Sequence, residues 1–418
     1  MVMRSDAPPG GDSAGESNQT AETELQKLLQ DAARVRQELR QRVEELAARY
    51  PQNRDIRFVL AEMLQAAGEY DLAVKAYRAL LEDASPNERR RIEQAIRQAE
   101  PEAAYQTPGY LHYLNTQKFG RPEHRDYLLR DLDRGRQVVR LLQQRMALRG
   151  RRLLDVGSSH GGMVMALAEQ GAQVVGVEID PRRSEVGRER IRELGFEVEW
   201  HTGDICDPGL VRRLDRFDGI ICQDVLEHVM DPQLAIRHIS MLLRPGGFVY
   251  VAVPNKYAPD FILADHHYKL MGISLLSRPQ GVEYFTQATG IPGEHYGVGY
   301  YRTEKYYRAA FARWGVTLEP IERYSRVEHV LWYAPTISML AARLATPAAP
   351  SLRPELNQRI RKRAKKVVEL YVHSSRVLKT LENEPENLAM ACHLTVSRLC
   401  VSVWRFIGTK AGGKGASA

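Results

Sequence analysis

The residues best equipped for chemistry form a short stretch rich in glycine and serine, LLDVGSSHGG, at positions 153–162. Small side chains let a backbone approach a ligand closely, and Gly157 and Gly161 can adopt conformations closed to other residues. A dinucleotide site would place a similar loop after its first strand, in the order GxGxxG, with a helix N-terminus receiving the pyrophosphate. Here the order is Asp155, Gly157, Ser159, Gly161, with an acid ahead of the first glycine. A carboxylate there repels pyrophosphate but can hold an ammonium group, directly or through water, which suits the amino-acid end of S-adenosylmethionine. Glu178, 21 residues after Gly157, closes the apolar run VVGVE and can accept both hydroxyls of a ribose. Further on, HTGDIC offers Asp204 as an acceptor for an adenine amino group, with Ile205 beside the ring.

Such groups converge only if strands carry them to one edge. From Arg151 to about Trp332 apolar strands alternate with amphipathic helices, the pattern of a parallel sheet covered on both faces. Strands are read at RLLDVG, QVVGVEI, EVEWH, FDGIICQ and GFVYVAVP, with two final ones near Val316 and Val330. Helices lie between them over 162–170, 182–194 and 234–243, and another around 305–314. The chemistry-bearing loops then fall at the carboxyl ends of adjacent strands, where open α/β sheets bind ligands.

Residues 151–255 resemble a class I S-adenosylmethionine-dependent methyltransferase of the subgroup with an LEHV box after its fourth strand. The resemblance rests on DVGSSHG (155–161), VEID (177–180), GDI (203–205), QDVLEHV (223–229) and RPGGFVYVAVPN (244–255), five elements in order. It implies an α/β fold with a Rossmann-like seven-stranded methyltransferase sheet whose last strand is antiparallel. It also implies S-adenosyl-L-methionine as cofactor, held by Asp155, Gly157, Ser159 and Gly161 in the loop, Glu178 on the ribose, Asp204 on adenine, and Gln223 against the cofactor. Ser159 stands where the family usually has its middle glycine, a small residue for which a modest cost in fit is expected.

Methyl transfer from a sulfonium is an in-line displacement, so the acceptor must be positioned and, if it is a hydroxyl, deprotonated. His228 is the candidate base; the competing reading has it orient the loop after the fourth strand without touching substrate. Asp224, Glu227 and His228 also resemble the ExxEH ligand set of some O-methyltransferases, with Asp in place of the first Glu, which would suit Mg²⁺ or Mn²⁺. No metal is assigned. After the fifth strand, residues 256–302 show no clear secondary structure but many aromatics and histidines, and are read as a lid over the acceptor, with His267 and Tyr268 within its reach. Upstream, 108–131 is expected to cover the cofactor, through Tyr110, Tyr113 or Gln117.

The remainder of the 418 residues divides around this domain, assigned to 105–345. Residues 1–20 read as a disordered tail, and 21–104 as a helical domain. Within it a helix spans 22–49, and a helical pair resembles a single tetratricopeptide unit: Leu60 and Ala61, Gly68 and Tyr70 at the turn, Ala73 and Tyr77. One copy falls short of the roughly three that such arrays need, so plain packing and a protein-binding role both stay open. Residues 346–418 read as a basic helical extension with the cluster Arg359, Arg361, Lys362, Arg363, Lys365 and Lys366. Its final segment, NLAMACHLTVSRLCVSVWRFIG, is read as an amphipathic helix. Such helices lie on anionic membranes, bind nucleic acid, or pack on their own domain with a solvated face.

The charge of +7 is spread over the chain and no DPPY or NPPY tetrapeptide follows the fourth strand, which argues against nucleic acid as substrate. No run reaches the roughly 18 apolar residues of a membrane span, and four cysteines without a CxxC pair indicate neither a disulfide framework nor a zinc ribbon. A cytoplasmic enzyme is expected, with peripheral membrane contact held open. It would methylate, at oxygen, a small-molecule, glycan or lipid-linked acceptor; the alternatives are an interaction protein on a degenerate methyltransferase fold, or a nucleic-acid methyltransferase.

Overall fold

The computed structural model describes residues 41, 45, 48–66, 70–82, 84–99, 105–117, 122–349 and 352–411. The expected tail 1–20, nearly all of the helix 22–49, and Gly68 lie outside the described residues. The described residues divide into two compact units: one within 41–256, 276–323 and 401–411, the other within 257–275 and 324–400.

The larger unit is built on a seven-stranded sheet. Its strands are β1 (Arg152–Val156), β2 (Gln173–Glu178), β3 (Glu199–Thr202), β4 (Phe217–Gln223), β5 (Leu243–Pro254), β6 (Val316–Pro320) and β7 (Val403–Lys410), in the order β3-β2-β1-β4-β5-β7-β6. β1 to β5 pair in parallel, while β7 runs antiparallel between β5 and β6. Central β1 reads as a near-continuous apolar run because helices cover both its faces: Leu153, Leu154 and Val156 are at most 2% exposed. Three helices that follow parallel strands begin with the same device. Asp180, Asp207 and Asp231 each accept backbone N–H groups of the first turn, and a proline stands next to each, where its missing N–H costs nothing. These caps fix where each chain segment leaves the sheet edge, and so fix the loops that line it.

Two expectations need correction. Val330 belongs to a helix, Val327–Leu331, not to a strand. The missing strand is β7, inside the final segment read as one amphipathic helix; that segment is a helix only over Pro385–Leu399 and then turns into the sheet. Alternate β7 residues Trp404 and Phe406 are buried, the period of a strand, and their ladder partners lie on β5 and β6. The region 346–418 is therefore not helical throughout.

At the N-terminal side, helices Arg54–Ala66, Tyr70–Arg78 and Pro86–Ala99 share a core of their own, with Phe58 edge-on to Tyr77 at 5.4 Å and Ala61, Ala73 and Ile92 around them. In the smaller unit, helices Val327–Leu331, Ala334–Arg343, Pro354–Thr380 and Pro385–Leu399 pack together with residues 257–275. Ile337, Leu340, Ile360, Ala364 and Val396 are completely buried there.

Candidate functional site

Register assembles the site. Val156 pairs with Val177 on one side and with Cys222 on the other, so the next residues of three strands, Gly157, Glu178 and Gln223, stand abreast at the carboxyl edge of the sheet. β3 adds to the same edge: Glu178 pairs with Thr202, and Asp204 follows just beyond. The structure thus brings Asp155, Gly157, Ser159, Gly161, Glu178, Asp204, Ile205 and Gln223 to one end of four adjacent strands.

The loop has left-handed backbone at Gly157 (φ 81°), Ser159 (φ 48°) and Gly161 (φ 89°). Only glycine fits at Gly157, where a Cβ would lie 2.4 Å from the Val225 side chain. Ser159 bears the same sign of φ with a side chain, and its N–H donates to Glu178 Oε2 at 2.7 Å, tying the loop to β2. Glu178 Oε1 accepts from Asp180 N at 2.9 Å. An ionised carboxylate has about four lone-pair sites, so each oxygen keeps one toward a ligand.

Asp155 is 3% exposed, and its Oδ2 has no hydrogen-bond partner among the described residues. Burial, with the charge of Glu178 added, pushes its carboxyl up to about 7. Gln223 Oε1 is likewise buried without a partner. Buried polar atoms are normally paired, so two such orphans at one edge fit a ligand that brings donors, as an ammonium and nucleoside hydroxyls would. Asp204 Oδ1 accepts from Cys206 N at 2.8 Å, and Ile205 is buried beside it.

Sequence reasoning passed over His160 and Arg190. His160 is 2% exposed, and burial pushes its ring down to about 4, so it is neutral at pH 7. Its imidazole lies 5.5 Å from the Tyr110 ring and 5.1 Å from that of Tyr113, which brings the upstream helix Pro108–Thr116 against the loop. Arg190 binds Asp131 Oδ2 at 2.7 Å, the Tyr105 carbonyl at 3.0 Å and the His160 carbonyl at 3.2 Å, under the Tyr110 ring. Nothing in PRRSEVGRERIRE singles out Arg190 among its neighbours, because the signal is its partners, which come from distant segments.

The LEHV box follows a left-handed residue, Asp224 (φ 54°). Glu227 is 1% exposed with neither carboxylate oxygen hydrogen-bonded among the described residues, and burial together with the Asp224 charge holds its carboxyl well above the usual range. Its backbone carbonyl accepts from Gly299 N at 2.7 Å and Tyr300 N at 3.0 Å. His228 is exposed, and its Nδ1 lies 2.9 Å from the Gly297 carbonyl. A carbonyl only accepts, so Nδ1 donates to it, and Nε2 is the nitrogen that can take a proton. The partners at 297–300 come from the segment expected to lack secondary structure. That segment instead contains helices Pro259–Leu263 and Arg278–Thr289, and its two parts fall in different units. In the smaller unit, the Asp265 carboxylate takes the backbone N–H groups of His267, Tyr268 and Leu270 at 2.9 to 3.2 Å.

The family description "Methyltransferase domain" matches residues 154–251, which hold all the residues of the carboxyl edge just described. Among curated proteins, "Ubiquinone biosynthesis O-methyltransferase" of Xylella fastidiosa (strain M23) is 37% identical over 123 residues, 29% of this chain and 50% of that protein. The protein of the same name from Bordetella avium (strain 197N) is 31% identical over 118 residues, 28% of this chain and 48% of that one. The chain thus spans about half the length of the curated relatives it matches. Among solved structures, magnesium protoporphyrin IX methyltransferase (ChlM) of Synechocystis PCC 6803 with bound SAH is 20% identical, covering 50% of this chain and 84% of that one, with a TM-score of 0.35.

Proposed function

We propose that this chain, whose residues 154–251 match a methyltransferase domain, transfers the methyl group of S-adenosylmethionine to an oxygen of a small-molecule, glycan or lipid-linked acceptor. The observation that carries this reading is the set of buried, unpartnered acceptors at the sheet edge, Asp155 Oδ2 and Gln223 Oε1, beside the ribose-ready Glu178. Oxygen as the acceptor atom is supported by the name of the curated relatives, ubiquinone biosynthesis O-methyltransferase.

The cofactor supplies a methyl group on a sulfonium, which departs as a neutral thioether. Asp155 would hold the ammonium of the methionine moiety, Glu178 would accept the ribose hydroxyls with its remaining lone pairs, and Asp204 with Ile205 would receive adenine. Ser159, locked to Glu178 through its backbone N–H, makes loop closure and ribose recognition one event. His228, oriented by the Gly297 carbonyl, takes the acceptor's proton on Nε2. Together, positioning and proton removal are the two tasks that an in-line displacement leaves to the protein.

The test is calorimetric titration of the wild type and Glu178→Ala with S-adenosylmethionine and S-adenosylhomocysteine. Removing a carboxylate that holds both the loop and the ribose should weaken binding by roughly 2 kcal/mol or more, about thirtyfold. Failure of the folded wild type to bind either ligand would end the catalytic reading. Binding without turnover on phenolic, sugar or lipid acceptors would leave the donor site standing and remove the assignment to oxygen.

A further inference from the structure

In the smaller unit, helix Pro354–Thr380 carries eight Lys and Arg against two Glu, a net +6 in a chain whose formal total is +7, so the charge expected above to be spread over the chain is concentrated here. One face is the unit's core, with Leu356, Ile360, Ala364, Val367 and Tyr371 buried. On the other side an exposed stripe runs at alternating spacings of four and three: Arg359, Arg363, Lys366, Leu370, His373, Val377. Its first half is cationic and its second half largely apolar.

A merely solvated face would interleave acids with these cations, since like charges four residues apart on a helix repel. Here 359/363, 361/365 and 362/366 are all cation pairs at that spacing, and no acid occurs between Glu355 and Glu369. Arg359, Arg361 and Lys362 make no ion pair among the described residues. Lys366 meets Glu369 at 3.8 Å with both side chains at least half exposed, where water screens the contact. Three cations without an ion pair within four residues call for an anionic counter-surface.

The apolar residues select which one. Leu370 is 40% exposed and Val377 37%. At the middle of the helix the Tyr371 hydroxyl donates to the Val330 carbonyl at 2.6 Å, and the two residues after Val330, Leu331 and Trp332, are 58% and 71% exposed. Aliphatic side chains and an indole beside a cationic helix match the boundary between lipid headgroups and acyl chains. Nucleic acid would reward stacking rings among the cations, and the cationic half of the stripe, Arg359 to Lys366, has none. No helix among the described residues is long and apolar enough to cross a membrane, so the contact would be peripheral.

We propose that this face of the smaller unit docks on an anionic phospholipid bilayer, with Arg359, Lys362 and Lys366 on headgroup phosphates and Trp332 and Leu370 in the interfacial zone. The proposal concerns where the chain works and is independent of the methyl-transfer reading.

The experiment is flotation of the full chain with phosphatidylcholine vesicles, with and without phosphatidylglycerol, at low and high salt. Binding should require the anionic lipid and fall with salt. Each cation at such a surface is worth roughly a fivefold change in partitioning, so Arg359→Gln/Lys362→Gln/Lys366→Gln should reduce it about a hundredfold. Arg359→Lys, which keeps the charge, should float like the wild type, and Trp332→Ala should weaken flotation without changing its salt dependence. Failure to float with anionic vesicles, equal flotation with neutral ones, or undiminished flotation of the triple Gln variant would each overturn the proposal. Steeply salt-dependent binding of RNA or duplex DNA in the absence of vesicle binding would overturn it in favour of nucleic acid.

Discussion

Asp155 offers the sharpest test of the donor site, because burial has moved its carboxyl into a measurable range. With a midpoint at about 7, raised by burial and by the charge of Glu178, it is partly protonated at neutral pH in the ligand-free protein. An ammonium placed against it favours the ionised form and should draw the midpoint back to about 5. At pH 6.5 roughly three quarters of the molecules hold the proton before binding and almost none afterwards, so about 0.7 proton leaves per ligand bound; at pH 8 the figure falls under about 0.1. Calorimetry of S-adenosylhomocysteine binding in buffers of different ionisation enthalpy measures this number. At pH 6.5 the ligand's own amine is protonated both free and bound, so the difference between wild type and Asp155→Asn there isolates the carboxyl. The same shift acts on stability. Asp155 keeps its proton in the folded chain up to about pH 7 but loses it near pH 4 when unfolded. Its stabilising contribution is therefore complete below about pH 4 and is lost as pH rises through about 7, so the wild type should lose more stability than Asp155→Asn between pH 5 and 8. A proton release that is the same in both proteins, or the same at pH 6.5 and 8, would refute the ammonium assignment.

Three further outcomes are expected. His228→Ala should lower kcat by roughly 10²- to 10⁴-fold while leaving cofactor affinity intact, and a kcat within a few-fold of wild type would leave His228 as a loop-orienting residue. Gly157→Ala introduces a methyl 2.4 Å from Val225 at a φ of 81°, and should cost about 1 to 3 kcal/mol in thermal unfolding along with cofactor binding. Truncation after Leu399 removes β7 from between β5 and β6 and should yield a chain that does not fold, as read by circular dichroism; a folded, cofactor-binding truncate would show that the sheet closes without its seventh strand.

What the sequence determined by itself is local. Loop chemistry depends on neighbours along the chain: a carboxylate two residues before a glycine that needs positive φ, or an aspartate before a proline at a helix start, means the same wherever the segment ends up. For that reason the strands carrying Asp155, Glu178 and Gln223, and the loop carrying Asp204, could be read before any coordinates. The resemblance supplied the sheet they share, seven strands with one antiparallel. Tertiary structure decided whatever depends on partners far along the chain. CVSVWRFIG follows a helix without a break in composition, and it is a strand because β5 and β6, some 80 to 160 residues earlier, offer ladders on both sides of it. VEHVLWY has strand-like apolar residues, yet it forms a helix whose last turns meet Tyr371. Arg190 is one arginine among several until Asp131, Tyr105 and His160 surround it. The orientation of His228 waits on Gly297, 69 residues away, since a ring's tautomer is set by the hydrogen bond that its other nitrogen makes, and only the folded chain supplies that partner.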